Sequence, residues 1–143
     1  FTLRLRVPAH TGQPRFTLNN APIRPDREAG GYYEFRREWS GDDLALHFSL
    51  PTRVRPFLND DYGLLLRGPV VLAVDQRDNP GLELDQVALP AVMDTALVEP
   101  LAARERCAGQ ALVNGQPAPV LFTPYADCGG DGARFRTAFP VVR

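Results

Sequence analysis

The sequence has no lysine; arginine supplies all 16 basic residues, against 17 acidic ones. The resulting formal charge of −1 argues against a nucleic-acid partner, which requires a clustered positive footprint. The missing lysine is a compositional bias and carries no functional weight. Only two cysteines are present, Cys107 and Cys128, too few for a disulfide scaffold. One bridge or two free thiols both stay open, with free thiols the expectation. No apolar run approaches the roughly 20 residues that a membrane-spanning helix needs, so the expectation is a soluble domain with no membrane contact. The chain starts at Phe1, directly in what reads as a strand, so a fragment or processed piece is expected. The absence of a signal peptide is then uninformative. Repeats, low-complexity segments and linkers are also missing.

What is present is organised around Tyr62–Asp75. Two short apolar runs, Gly63–Leu66 and Val70–Val74, flank Arg67-Gly68-Pro69. Each is too short for a globular helix and reads as a buried strand. Pro69 has no backbone donor and a fixed φ, so a bend is expected between them, with Gly68 in a conformation a β-carbon would disfavour. At 143 residues one domain is expected, burying roughly 68–70% of its unfolded surface. A seam is expected near residues 59–61, where clean alternation stops.

Before that stretch the chain alternates like half-exposed sheet. Leu3, Leu5 and Val7 share a face, as do Tyr33, Phe35 and Trp39, and likewise Leu44, Leu46, Phe48 and Leu50. Apolar positions two apart specify strand, not helix. The last set predicts Phe48 in the core, with His47 and Ser49 outside. Asn19-Asn20 predicts a hairpin, as does Asn114-Gly115 between apolar flanks. Residues 82–105 fit no single period, and Pro90 and Pro100 exclude a long helix; a short strand near Val87 within irregular structure is expected. Ala133–Phe139 reads as a closing strand. About nine short strands with frequent turn signals predict an all-β fold, an antiparallel β-sandwich or jelly roll with little or no helix.

Chemistry-bearing constellations are sparse. Asp127-Cys128-Gly129-Gly130-Asp131-Gly132 faintly resembles a calcium loop, but Ala138 stands where the bidentate glutamate belongs. His10 and His47 lie far apart in sequence, and Cys107 and Cys128 have no metal or nucleophile spacing. No catalytic residue, cofactor or metal site is therefore assigned. Tyr33 and Trp39 lie on the apolar face and are expected to pack. Tyr32, on the opposite face, and Tyr125, in a loop, are the candidates for a ligand or domain contact.

Four pieces in order carry a family resemblance: Phe1–Ala9 with the Leu18-Asn19-Asn20 turn; Tyr33–Trp39 with the strand through Pro51; Gly63–Val71 around Arg67, Gly68 and Pro69; and Phe122–Asp127. Together they resemble the C-terminal β-sandwich region of glycoside hydrolase family 127, whose founding activity is β-L-arabinofuranosidase. The chain departs from the family's pattern at His10 and Leu72, where a tryptophan and a tyrosine are usual. In that family the acid/base glutamate and the zinc-linked cysteine nucleophile belong to an N-terminal (α/α) barrel. The resemblance implies that this region lacks them, so no catalytic position is carried over. It implies a non-catalytic domain that packs against and steadies the catalytic barrel of its parent chain. The alternative is a free-standing carbohydrate-binding module, with carbohydrate as its partner.

Overall fold

The computed structural model describes residues 1–58, 60–93, 95–101 and 104–143; for 96–101 and 104–105 it describes the backbone alone. Strand accounts for 54% of the chain, and among the described residues no helix reaches seven residues, so the fold is all-β. Two compact units form, Phe1–Pro51 and Thr52–Arg143.

Unit 1 contains β1 (Thr2–Arg6), β2 (Arg15–Leu18), β3 (Ala21–Ile23), β4 (Arg27–Ala29), β5 (Tyr32–Arg36) and β6 (Leu44–His47). They make two three-stranded sheets, β1-β5-β4 and β3-β2-β6. Asn19 and Asn20 both take positive φ, 49° and 65°, which is the two-residue turn that matches strand twist between β2 and β3. Phe16 from one sheet meets Phe35 from the other edge-on, ring centroids 5.0 Å apart. Val7 completes that buried centre, with Leu5, Ile23, Tyr33, Trp39, Leu44 and Leu46 packed around it. The two sheets thus face each other across one apolar layer, as in a small sandwich.

The expectation for Phe48 is corrected: its side chain is 48% exposed. The pairing of β6 with β2 stops at Arg15↔His47, so the alternation continues in sequence after the sheet that would use it has ended. Leu44 and Leu46 do pack against the core. Trp39 lies past the end of β5 and reaches the same core from a loop, held by its Nε1–H donating to the Phe1 carbonyl at 3.0 Å.

Unit 2 contains β7 (Thr52–Phe57), β8 (Tyr62–Arg67), β9 (Val70–Asp75), β10 (Val87–Pro90), β11 (Thr95–Leu101), β12 (Arg104–Val113), β13 (Gln116–Pro124), β14 (Phe135–Arg136) and β15 (Ala138–Val142). The pairings β8–β9–β13–β12–β10–β15–β8 run round a closed circuit, which removes exposed edges from those six strands. Only β10–β15 is parallel among these pairs. Each strand of the circuit sends side chains inward: Leu65, Leu72, Val74, Val87, Leu89, Cys107, Ala111, Val120, Phe122 and Phe139 are all buried. Asn114 and Gly115, φ 52° and 75°, turn β12 into β13 as their sequence predicts.

Three differences from the sequence reading have local causes. Residues 60 and 61 lie in the turn between β7 and β8, where Phe57 pairs with Tyr62; residue 59 lies outside the described residues. Alternation fails there because the chain reverses, and the division between units falls at Pro51/Thr52. Residues 82–105 hold more strand than expected, since β11 pairs along β12. Pro100 is tolerated because β11 is an edge strand and its register shifts between Val98 and Leu101. The closing strand is split: Arg136 pairs with β9, whereas Ala138 pairs with β8.

Phe122 and Phe139 are fully buried, their rings 6.4 Å apart and edge-on. Phe122→Ala is expected to cost about 3–5 kcal/mol, whereas Phe48→Ala should cost less than about 1 kcal/mol. Urea unfolding of both variants checks the contrast, and equal costs would contradict the placement of Phe48.

Candidate functional site

Arg67, Gly68 and Pro69 make a complete reversal rather than a shallow bend. Arg67 and Val70 are paired across β8 and β9, which leaves Gly68 and Pro69 as a two-residue turn. Gly68 has φ 56°, and the proline ring holds Pro69 at negative φ, so the turn is of the II′ type with glycine first. The Gly68 carbonyl accepts from Arg53 Nη2 at 3.5 Å. Arg67 Nη1 reaches the sulfur of buried Cys107 on β12 at 3.3 Å. Both cysteines are free thiols. The motif that is most recognisable in sequence therefore acts inside the fold: it closes a hairpin and ties β8 to β12.

A second polar constellation follows β9 directly. Asp75 is fully buried and is salt-bridged to Arg77 at 2.8 Å. Its carboxylate also accepts the backbone N–H groups of Arg77 at 2.9 Å and Gly129 at 3.1 Å. The Arg77 side-chain bond holds the Asp75 carboxyl well below the usual carboxylate range; burial opposes this, and the two backbone bonds add to it. The same bond raises Arg77. Arg77 continues to the Asp127 carbonyl at 2.9 Å. The segment that faintly resembled a calcium loop is thus held by a guanidinium. Among the described residues no group of three His, Cys, Asp or Glu side chains is placed to hold a metal. Asn79 donates to the carbonyls of Asp75 and Leu121 and accepts the Leu121 N–H. Asp78 accepts from Thr123 Oγ1 at 2.6 Å and pairs with Arg106 at 2.7 Å. Sequence reasoning saw only a polar turn here. The available signal was a carboxylate ending an unbroken apolar run, a position that burial forces to find a partner.

The two tyrosines proposed as contacts belong to different units. Tyr32 is exposed on β5, between Arg6 and Ala29 on the flanking strands. Tyr125 is exposed in a 3-10 turn after β13, its ring 5.7 Å from that of Phe135. A different apolar surface lies at one end of unit 2. Phe57, Tyr62 and Pro140 stand opposite one another across β7, β8 and β15, so their side chains share a face. Val142 follows two residues later on the same face, and Phe57, Tyr62 and Val142 are all exposed. Leu58, beside them in the turn, is 82% exposed with φ 65°.

Because the native pairing lowers the Asp75 pKa, its stabilising contribution is complete above the unfolded carboxylate value near 3.9 and fades as pH falls below it. Asp75→Asn strands Arg77 and should cost about 3 kcal/mol at neutral pH. It should also flatten the fall in stability below about pH 4. Urea unfolding of both proteins across pH checks this; parallel curves would contradict it.

No protein-family model matches the chain, and no curated protein matches it. Solved structures do. The chain aligns over 100% of its length with 28% of a glycoside hydrolase, at TM-score 0.79 and 20% identity. It aligns over 99% with 26% of a family 127 β-L-arabinofuranosidase from Geobacillus stearothermophilus T6, at TM-score 0.74 and 22% identity. A second family 127 β-arabinofuranosidase gives TM-score 0.76 at 17% identity, again with 99% of this chain on 28% of the other. The chain spans little more than a quarter of the length of these structures, and its fold is the one found in that portion of glycoside hydrolases that include family 127 arabinofuranosidases.

Proposed function

We propose that the chain is a non-catalytic β-sandwich domain of a family 127-like glycoside hydrolase, and that it packs against and steadies the catalytic barrel of its parent. The observation that carries this reading is Leu58. A leucine in the left-handed region costs roughly 1–2 kcal/mol, and this one buries almost none of its side chain in return. Exposed as it is, Leu58 gains little from packing against the described residues of unit 2. Contact with a further part of a longer chain would favour it, and the adjoining Phe57, Tyr62 and Val142 extend the surface such a contact would cover.

A carbohydrate-binding module that stacks sugar rings would need an outward aromatic platform. Tyr32 stands among charged neighbours: Arg4, Arg6, Glu34 and Arg36 occupy the same β1–β5 ladder. Tyr125 turns its ring toward Phe135. Neither supplies a row of stacking surfaces.

The test is a trade-off between stability and docking. Asparagine suits positive φ and removes the exposed apolar side chain, so Leu58→Asn should stabilise the isolated chain by about 1 kcal/mol. The same substitution should weaken association with the remainder of the parent protein supplied as a separate polypeptide, read by calorimetry. Unchanged association would overturn the proposed docking surface. The isolated chain should not hydrolyse arabinofuranosides, since hydrolysis needs a positioned acid and nucleophile; turnover by pure chain would overturn the non-catalytic reading.

A further inference from the structure

Arginines of unit 1 differ in whether an acidic partner faces them. On the β1–β5–β4 sheet Arg4 lies opposite Glu34, and its Nε donates to Glu34 Oε1 at 2.8 Å. On the β3–β2–β6 sheet Arg15 lies opposite His47 on one side. On its other side the pairing runs Thr17↔Pro22 and Phe16↔Ile23 and ends there; Arg24 is the residue that follows the end of β3. Among the described residues neither Arg15 nor Arg24 is in an ion pair, and the same holds for Arg6.

All three arginines line one cleft of about 1020 Å³. Among the described residues its one acidic lining residue is Glu28, which already accepts the hydroxyl of Tyr33 at 2.9 Å. That bond raises the Tyr33 pKa, so the phenol stays neutral and adds no charge. Four prolines contribute to the walls, and Thr11, Gln13 and Thr17 supply polar groups. Proline walls are fixed in advance, which lowers the ordering cost of binding.

We infer that this cleft is a binding site for a carboxylate-bearing saccharide of the uronate class. Guanidinium groups match the planar carboxylate in bidentate fashion, and three of them line this one cleft. Hydroxyl and amide side chains on the lining suit a hydroxyl-rich ligand. The volume is at the upper end of the range of small-molecule pockets, enough for an oligosaccharide segment. The requirement for an anion rests on the arginines alone; the choice of a saccharide rests on reading the chain as part of a carbohydrate-active protein.

Calorimetric titration of the chain with tri-galacturonate, its methyl ester and a tri-glutamate peptide tests the inference. Tri-galacturonate is expected to bind saturably and to weaken as salt is raised. Affinity should fall about tenfold or more for the methyl ester, and likewise for the Arg15→Gln/Arg24→Gln double variant. The variant should unfold at the same temperature, because among the described residues neither arginine is in an ion pair; a lower Tm would mark the arginines as structural and overturn the site. No binding of tri-galacturonate, or equal binding of acid and ester, would overturn the site. Tighter binding of the peptide would overturn the saccharide class. The docking reading is tested separately at Leu58, so either can fail without the other.

Discussion

Burial of the Asp75 carboxylate is the constraint on which much of unit 2 depends. Strand β9, one of the six strands of the closed circuit, runs apolar from Val70 to Val74 and ends in a charge that is fully buried. A lone carboxylate there would be prohibitively costly. It is stabilised by Arg77 from the next turn and by the Gly129 backbone from a loop 54 residues away. Asn79 and Asp78 then join the same turn to β13 and β12. The loops therefore take their positions from a charge that must be satisfied, while the apolar circuit supplies the bulk of the burial.

That division explains what was legible beforehand. Periodicity reports which side chains face a core, so the strands around Leu5, Phe35, Leu65 and Phe122 could be read from spacing, and the Asn-Asn and Asn-Gly hairpins from turn chemistry. Periodicity does not report where a partner strand stops. Phe48 keeps the alternation of β6 but has no sheet beyond His47 to pack on. Nor does it reveal a strand whose own residues carry no period: β11 pairs along β12 although residues 95–101 show no clear pattern. The Asp75 network escaped notice for another reason, since Gly129, Leu121 and Thr123 are close to it only after folding.

The family resemblance rested chiefly on Arg67-Gly68-Pro69, and the geometry explains its distinctiveness. A two-residue turn with proline second and glycine first admits few other residues, and Arg67 is engaged with Cys107 below it. Such a motif records a way of folding, and solved structures at 17–22% identity share that fold. The surfaces offered for function lie elsewhere. The tyrosines chosen from sequence are exposed, but the apolar end of unit 2 and the arginine cleft of unit 1 became visible only once folding placed Phe57 beside Tyr62 and gathered Arg6, Arg15 and Arg24 along one cleft.

The central claim, that this chain is a docked part of a larger hydrolase, is tested most directly by comparing amide hydrogen exchange in the isolated chain with exchange in the intact parent protein. Slower exchange is expected in the parent at Phe57, Leu58, residues 60–62, Val141 and Val142, with little change around Tyr125. Equal rates at Phe57, Leu58 and residues 60–62 in the two contexts would contradict the docking proposal.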